Sequence, residues 1–210
     1  NVAVGMHSLG GNTTADNNTA VGHFALMGNT TGIQNTAVGA LALTSNTTSN
    51  YSTAVGYKAA QFSTGGYNLA LGHEALKGVS GQTTGINNTA LGMVSLRDIT
   101  TGSNNTATGI GSLRDNTTGN YNVAMGNDAL ANNETASNNT GLGYNALKLN
   151  TTGTNNVAVG YKALDGNTTA NDNTAVGKSA LGSTTTGASN TALGKDALTA
   201  NTTASNNTAV

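Results

Sequence analysis

Short uncharged blocks alternate with polar turns along the whole chain, and each block is built in the same way. Asn, then Thr, Val or Leu, then Ala, then Val, Leu or Met lead to a closing Gly, as in Asn35-Thr36-Ala37-Val38-Gly39. These Gly anchors are Gly5, Gly22, Gly39, Gly56, Gly72, Gly92, Gly109, Gly126, Gly143, Gly160, Gly177 and Gly194, spaced by 17 residues except for one interval of 16 and one of 20. Two helices and their turns need about thirty residues or more, so this period excludes a helical-hairpin repeat. It fits one coil of a solenoid in which each turn of chain stacks on the last. The predicted fold is all-β, a parallel β-solenoid or β-roll of about twelve coils in one repetitive segment over residues 1–210, irregular between residues 56 and 92.

With the anchor Gly as position zero, position −4 is Asn except at Ser52, −2 is Ala except at Gly141, and −1 is aliphatic or Met except at Thr108. Position +3 is Ala or Ser, +4 is Leu except at Ala60, and most repeats continue with Asn-Thr-Thr-Gly, as in Asn29-Thr30-Thr31-Gly32. Thr and Val favour the pleated state, so Thr-Ala-Val and Ala-Leu are read as two short strands with the −1 and +4 side chains inside. Leu26, Leu130 and Leu164 are then core; Gly22, Gly39, Gly126 and Gly160 form the turns, and Asn18 and Asn156 stack between coils. One Val and one Leu per coil, worth about 1.5–3 kcal/mol each, make a thin core. Ala at −2 and +3 would fall on an outer surface narrow enough for a neighbouring chain. The missing residue before Gly72 and the three extra before Gly92 belong in a turn, around Lys77 to Gln82, that bulges without breaking the stack.

Composition adds limits. There is no Cys and no Pro among 210 residues, and the net charge is −1. No disulfide framework or thiolate metal site can form, and nucleic acid, which needs a basic stripe, is not an expected partner. No apolar run reaches the ~18 residues of a membrane span. The chain starts and stops at the same four repeat positions, Asn1-Val2-Ala3-Val4 and Asn207-Thr208-Ala209-Val210. Without a capping repeat this reads as a piece of a longer array.

Candidate chemistry is sparse. His23 and His73 share position +1 and His7 lies at +2, in slots also held by Tyr, Lys and Asp, so no metal-ligand spacing repeats. No catalytic residue, metal or cofactor is expected. Fourteen of the seventeen charges fall at +1/+2 or +5/+6, which marks those windows as solvent-facing turns. Arg97-Asp98 and Arg114-Asp115 repeat in successive coils. Tyr57, Tyr144 and Tyr161 share position +1 and are candidates for stacking on sugar rings or partner surfaces. Asn12, Asn29 and Asn116 match the N-glycosylation pattern, and Thr31 and Thr118 are candidates for O-linked sugars. Regular Thr arrays on a solenoid also raise ice binding, against which stands their place in a turn beside Gly and Asn.

Blocks such as Asn156-Val157-Ala158-Val159-Gly160-Tyr161-Lys162-Ala163 and Asn122-Val123-Ala124-Met125-Gly126 resemble the head repeats of YadA-like trimeric autotransporter adhesins. Related Asn-Thr-Ala-Val-Gly repeats occur in tail-fibre-like surface proteins. The resemblance implies a left-handed parallel β-roll, trimerised side by side and displayed outside the cell to bind matrix or host surfaces. The expected function is a non-catalytic, extracellular or cell-surface adhesive fibre. Its partners would be further copies of itself, laterally or end to end, and host surface, matrix or glycans. The shaft of a receptor-binding tail fibre and an ice- or carbohydrate-binding module are the alternatives.

Overall fold

The computed structural model describes residues 1–210 and contains strands and turns but no helix. Thirteen short strands, from Val2–Val4 to Thr208–Ala209, form one parallel sheet in chain order. Each residue lies beside its counterpart one repeat on: Ala158 pairs with Ala175 and Val159 with Val176. The register survives the irregular coil, where Val55 pairs with Leu71 and Leu71 with Leu91. At a rung spacing of about 4.8 Å, the sheet is about 58 Å long.

The Ala-Leu segment is not a second strand. In each coil the residues at +2 and +4 have positive φ, as at Lys162 (54°) and Leu164 (50°), while the intervening Ala163 does not. This alternation points successive amides in different directions. The Ala163 amide closes a local turn on the Gly160 carbonyl at 3.3 Å, and the Leu164 amide crosses to the Ala180 carbonyl of the next coil at 3.0 Å. Of 142 backbone hydrogen bonds only 24 lie within strands, so the turns carry most of the stacking. Left-handed backbone costs an ordinary side chain about 1–2 kcal/mol. Full burial of the Leu offsets it by a similar amount.

The inner face also differs from the expected one. Strand side chains alternate, and it is Ala at −2 that points inward: from Ala20 to Ala175 every Ala in this row is 0% exposed. Val159 and Val176 at −1 face outward and are half-buried. The expected Ala stripe for a neighbouring chain is therefore the core of this one. Because +4 is left-handed, +3 and +4 both turn inward, so Ala163 and Leu164 are buried together. The two walls lie close: a Cβ added at Gly141, the one Gly at −2, would sit 3.3 Å from Leu130 Cγ. Ala fills this gap, and nothing larger does. Ala158→Leu with Ala175→Leu is thus expected to lower the melting temperature of the single chain, each change costing about 1–3 kcal/mol by overpacking. An altered oligomeric state with unchanged melting would contradict this placement.

Leu26, Leu130 and Leu164 occupy the core as expected. The anchor glycines are required by geometry as well as by φ. At Gly160 (φ 135°) a methyl group would lie 2.6 Å from the Gly177 carbonyl oxygen and 2.7 Å from its carbon. The same holds at Gly22, Gly39 and Gly126.

The other half of the interior is polar. The Asn at −4 stacks in every coil, and its Oδ1 accepts the backbone N–H of its successor: Asn139 to Asn156 at 2.9 Å, Asn156 to Asn173 at 3.0 Å. Asn18 serves Asn35 in the same way at 2.8 Å. Where Ser52 replaces Asn, its hydroxyl still accepts the Asn68 amide at 3.3 Å, so the ladder is not interrupted. A second ladder at +7 runs through Asn116, Asn133, Asn150 and Asn167, the Nδ2 of each of the last three donating to the Oδ1 before it at 2.8–2.9 Å. It ends where Thr184 follows, leaving the Asn167 Oδ1 without a partner. Both ladders satisfy buried amides that would otherwise be costly.

The insertion does bulge, more narrowly than the sequence suggests. Lys77 stays in the stack, its carbonyl accepting the Phe62 amide at 2.9 Å. The excursion is Val79 to Gln82, with Ser80, Gly81 and Gln82 exposed. Thr83 closes it: its Oγ1 accepts the Val79 amide at 2.7 Å and lies 3.1 Å from the carbonyls of Val79 and Ile99. A broad-specificity protease is expected to cut first between Val79 and Gln82, where backbone is exposed and weakly bonded. The fragments should stay together in native gel filtration. First cleavage elsewhere would contradict it.

Candidate binding surface

Three surfaces run the length of the rod. The first is the outer face of the sheet, with Thr, Val or Leu at −3 and Val, Leu, Met or Thr at −1. It carries no charge in any of its strands. Val4, Leu71, Met125 and Leu193 are 47–57% exposed on it. Sequence reasoning missed this face because it assigned −1 to the interior. Strict alternation within Thr-Ala-Val would have shown −3 and −1 sharing a side.

The second surface is the Asn-Thr-Thr turn. Asn29 and Asn116 are fully buried, with Nδ2 bonded to the carbonyls of Gly32 (2.9 Å) and Gly119 (3.1 Å). A glycan on that nitrogen would have to break the coil. Asn12, half-buried in the first coil, makes the equivalent bond to Ala15 at 3.2 Å. The glycosylation pattern here comes from a ladder residue, which is why it recurs. The first Thr of most turns spends its hydroxyl on the next coil, as Thr30 does on the Thr47 carbonyl at 3.0 Å. Thr31 and Thr118, the second Thr, are exposed.

The third surface is the edge formed by +1, +2, +5 and +6. Arg97 binds Asp98 through two nitrogens at 2.8 and 2.6 Å, and Arg114 binds Asp115 twice at 2.8 Å. These bonds raise both guanidinium pKa values further above their ordinary range. Arg97 also reaches Asp115 in the next coil at 3.8 Å, so the pairs link rungs. Glu74 lies 3.9 Å from Lys58 and 3.3 Å from Lys77. No group of three or more His, Cys, Asp or Glu side chains is placed to hold a metal ion. His7 stacks on Phe24 at 5.1 Å, His23 packs against the same ring at 4.0 Å, and His73 meets Tyr57 at 5.4 Å.

The three candidate tyrosines lie on this edge, 45–48% exposed. Tyr144 and Tyr161 are brought together, their rings 5.4 Å apart and 12° from parallel. Tyr57 stands apart from them with His73. A separate row was missed: Tyr51 and Tyr67 stack at 5.1 Å, and Tyr121 is 62% exposed. All three hold the same slot, position −5, one residue before Ser52, Asn68 and Asn122, and that shared position was the available signal.

One depression of about 210 Å³ opens on the rod, lined by Lys162, Asp165, Ser179, Gly182, Ser183 and Thr199. It is smaller than the roughly 300–1,000 Å³ of an enclosing ligand pocket. Burial raises the Asp165 pKa above the usual carboxylate range, although Lys162 and Lys148 pull it down. A raised carboxyl pKa means the folded state holds the proton more tightly than the unfolded one. The stabilising contribution is therefore present at acid pH and lost as pH rises through the carboxylate range. Asp165→Asn should leave stability at pH 7 unchanged or slightly higher, within about 1 kcal/mol, and the difference should vanish in acid. A marked loss at pH 7 would show that the pair with Lys162, 3.9 Å away, outweighs the burial.

No family model, curated protein or solved structure matches this chain.

Proposed function

We propose that the chain is a segment of an extracellular or cell-surface fibre, structural and adhesive and without catalysis, whose rods associate side by side. The observation that carries this reading is the uncharged outer face of a single thirteen-stranded sheet, continuous over its whole length. Repetition gives it the same Thr and aliphatic rows at every rung, so a second copy meets matching chemistry in any axial register. A face about 58 Å long and three residues wide offers several hundred Å², close to the ~800 Å² per partner of a stable interface. The resemblance of the Asn-Val-Ala-Val-Gly blocks to trimeric adhesin heads favours three chains. It also favours host surface, matrix or glycans as the adhesive partners, met through the exposed edges.

Light scattering with electron microscopy of the purified chain tests the association. A threefold mass and straight rods are expected, with Val159→Lys and Val176→Lys dissociating them without unfolding. A well-folded monomer at micromolar concentration would rule it out. Beads coated with the chain test the adhesive part; failure to adhere to any matrix- or glycan-coated surface would sink it.

A further inference from the structure

The edge around Tyr161 combines features found together nowhere else on the rod. Tyr144 backs one side of the Tyr161 ring, while the coil on the other side presents Lys178 at the aromatic position. The Lys178 ammonium lies 5.9 Å from the Tyr161 ring centroid, as does that of Lys162. Lys162 leans the other way too, 3.9 Å from Asp165, and so joins the ring to the shallow depression. In that depression the hydroxyls of Ser179 and Ser183 make no hydrogen bond within the chain, whereas Thr199 is committed to the Ser179 carbonyl at 2.6 Å.

Charge then narrows the ligand. Of the eight Lys and Arg side chains, seven have a carboxylate within 4.0 Å. Lys178 is the exception, and it is exposed. An unpaired cation beside a backed aromatic ring and a small polar hollow suits a flat ligand with one apolar face, several hydroxyls and one negative charge. A phosphate alone would leave the ring unused, and a neutral sugar would leave Lys178 unpaired.

We infer that Tyr161, Lys178 and the adjoining depression form a binding site for a carboxylated sugar, a hexuronate unit of a surface polysaccharide. The exposed Lys178 side chain swings off the Tyr161 face opposite Tyr144, and the C–H face of the pyranose stacks there in its place. The sugar carboxylate pairs with the displaced ammonium, and its hydroxyls bond Asp165, Ser179 and Ser183. The site rests on the adhesive reading above and supplies one of its ligands. Its chemistry can fail while the rod and its association stand.

NMR titration of the intact chain with methyl glucuronide and methyl glucoside, probes that differ in the carboxylate, tests it. The glucuronide should bind about tenfold more tightly at low salt, with the advantage shrinking as salt screens the pair. Tyr161→Ala should abolish binding of both probes. Lys178→Met should remove the preference while leaving the weaker glucoside binding unchanged. Tyr57→Ala, on a similar ring without the depression, should change nothing. Both altered residues are exposed, so the fold should persist, and unchanged circular dichroism checks this. Equal affinity of the unmodified chain for the two probes, glucuronide binding that survives Tyr161→Ala, a glucuronide preference that survives Lys178→Met, or no saturable binding at the probe's solubility limit would each overturn the site.

Discussion

Leu130→Asp should melt the rod tens of degrees early and open several coils at once. The side chain is 0% exposed, and the strand backbone at Gly141 lies close against it. Nothing in this half of the interior can pair with a carboxylate, because the polar ladders occupy the other half. An unpaired buried charge costs several kcal/mol even after relaxation, a large share of the 5–15 kcal/mol that holds a typical domain together. In a stack where each coil touches only its neighbours, the loss spreads along the axis. Amides on either side should lose hydrogen-exchange protection first: Leu113, bonded to the Ala129 carbonyl at 3.0 Å, and Leu130, bonded to that of Ala146 at 2.9 Å. Val159→Asp, on the outer face, should cost a single chain little. Melting of the Leu130 variant close to the parent's would mean that the inner wall has been misidentified.

Asn156→Asp should be nearly as damaging, and pH should reverse part of it. The Asn156 amide nitrogen donates to the Ala170 carbonyl at 2.8 Å and to Asn139 Oδ1 at 3.2 Å. An oxygen in its place sets one acceptor against two others and adds a buried charge, for a loss of about 3–5 kcal/mol at pH 7. Protonation returns one donor. The introduced carboxyl would have a folded-state pKa above the ordinary ~3.9, so the loss should be smallest below that value and grow as pH rises. Melting curves across this range would show the gap from the parent widening toward neutrality. Asn138→Asp, exposed and with its side chain unbonded, should stay within about 0.5 kcal/mol. If both Asp variants behaved alike at all pH values, the ladder would not be a stabilising element.

The repeat was readable because stacking demands it. A parallel rung places each residue beside its counterpart one coil on, so the positions that repeat are those whose neighbours leave no choice. Gly160 repeats because a methyl group would meet the Gly177 carbonyl, Leu164 because it fills a closed space, and Asn156 because its amide links three chain segments. Tyr161 and Lys178 share one outward slot and differ, since the side chains there are exposed and no closed space limits their size. Sequence also located the irregular coil and the solvent-facing charge windows, each from spacing alone.

By itself, then, the sequence determined the solenoid, its period, its Leu core, its Asn stacks and the place of its insertion. Only the tertiary structure decided which side of each strand is inside. The pattern Thr-Ala-Val permits either choice, and hydrophobicity favours Val. The wall spacing decides for Ala, because the left-handed Leu at +4 turns both Ala163 and Leu164 inward and leaves room for no more than a methyl group opposite. The same geometry sends Val159 outward, makes the glycosylation-like Asn29 and Asn116 inaccessible, and sets Tyr161 between Tyr144 and Lys178. Backbone handedness at single residues has no signature in a hydrophobic pattern, and here it determines which rows of the repeat a partner can touch.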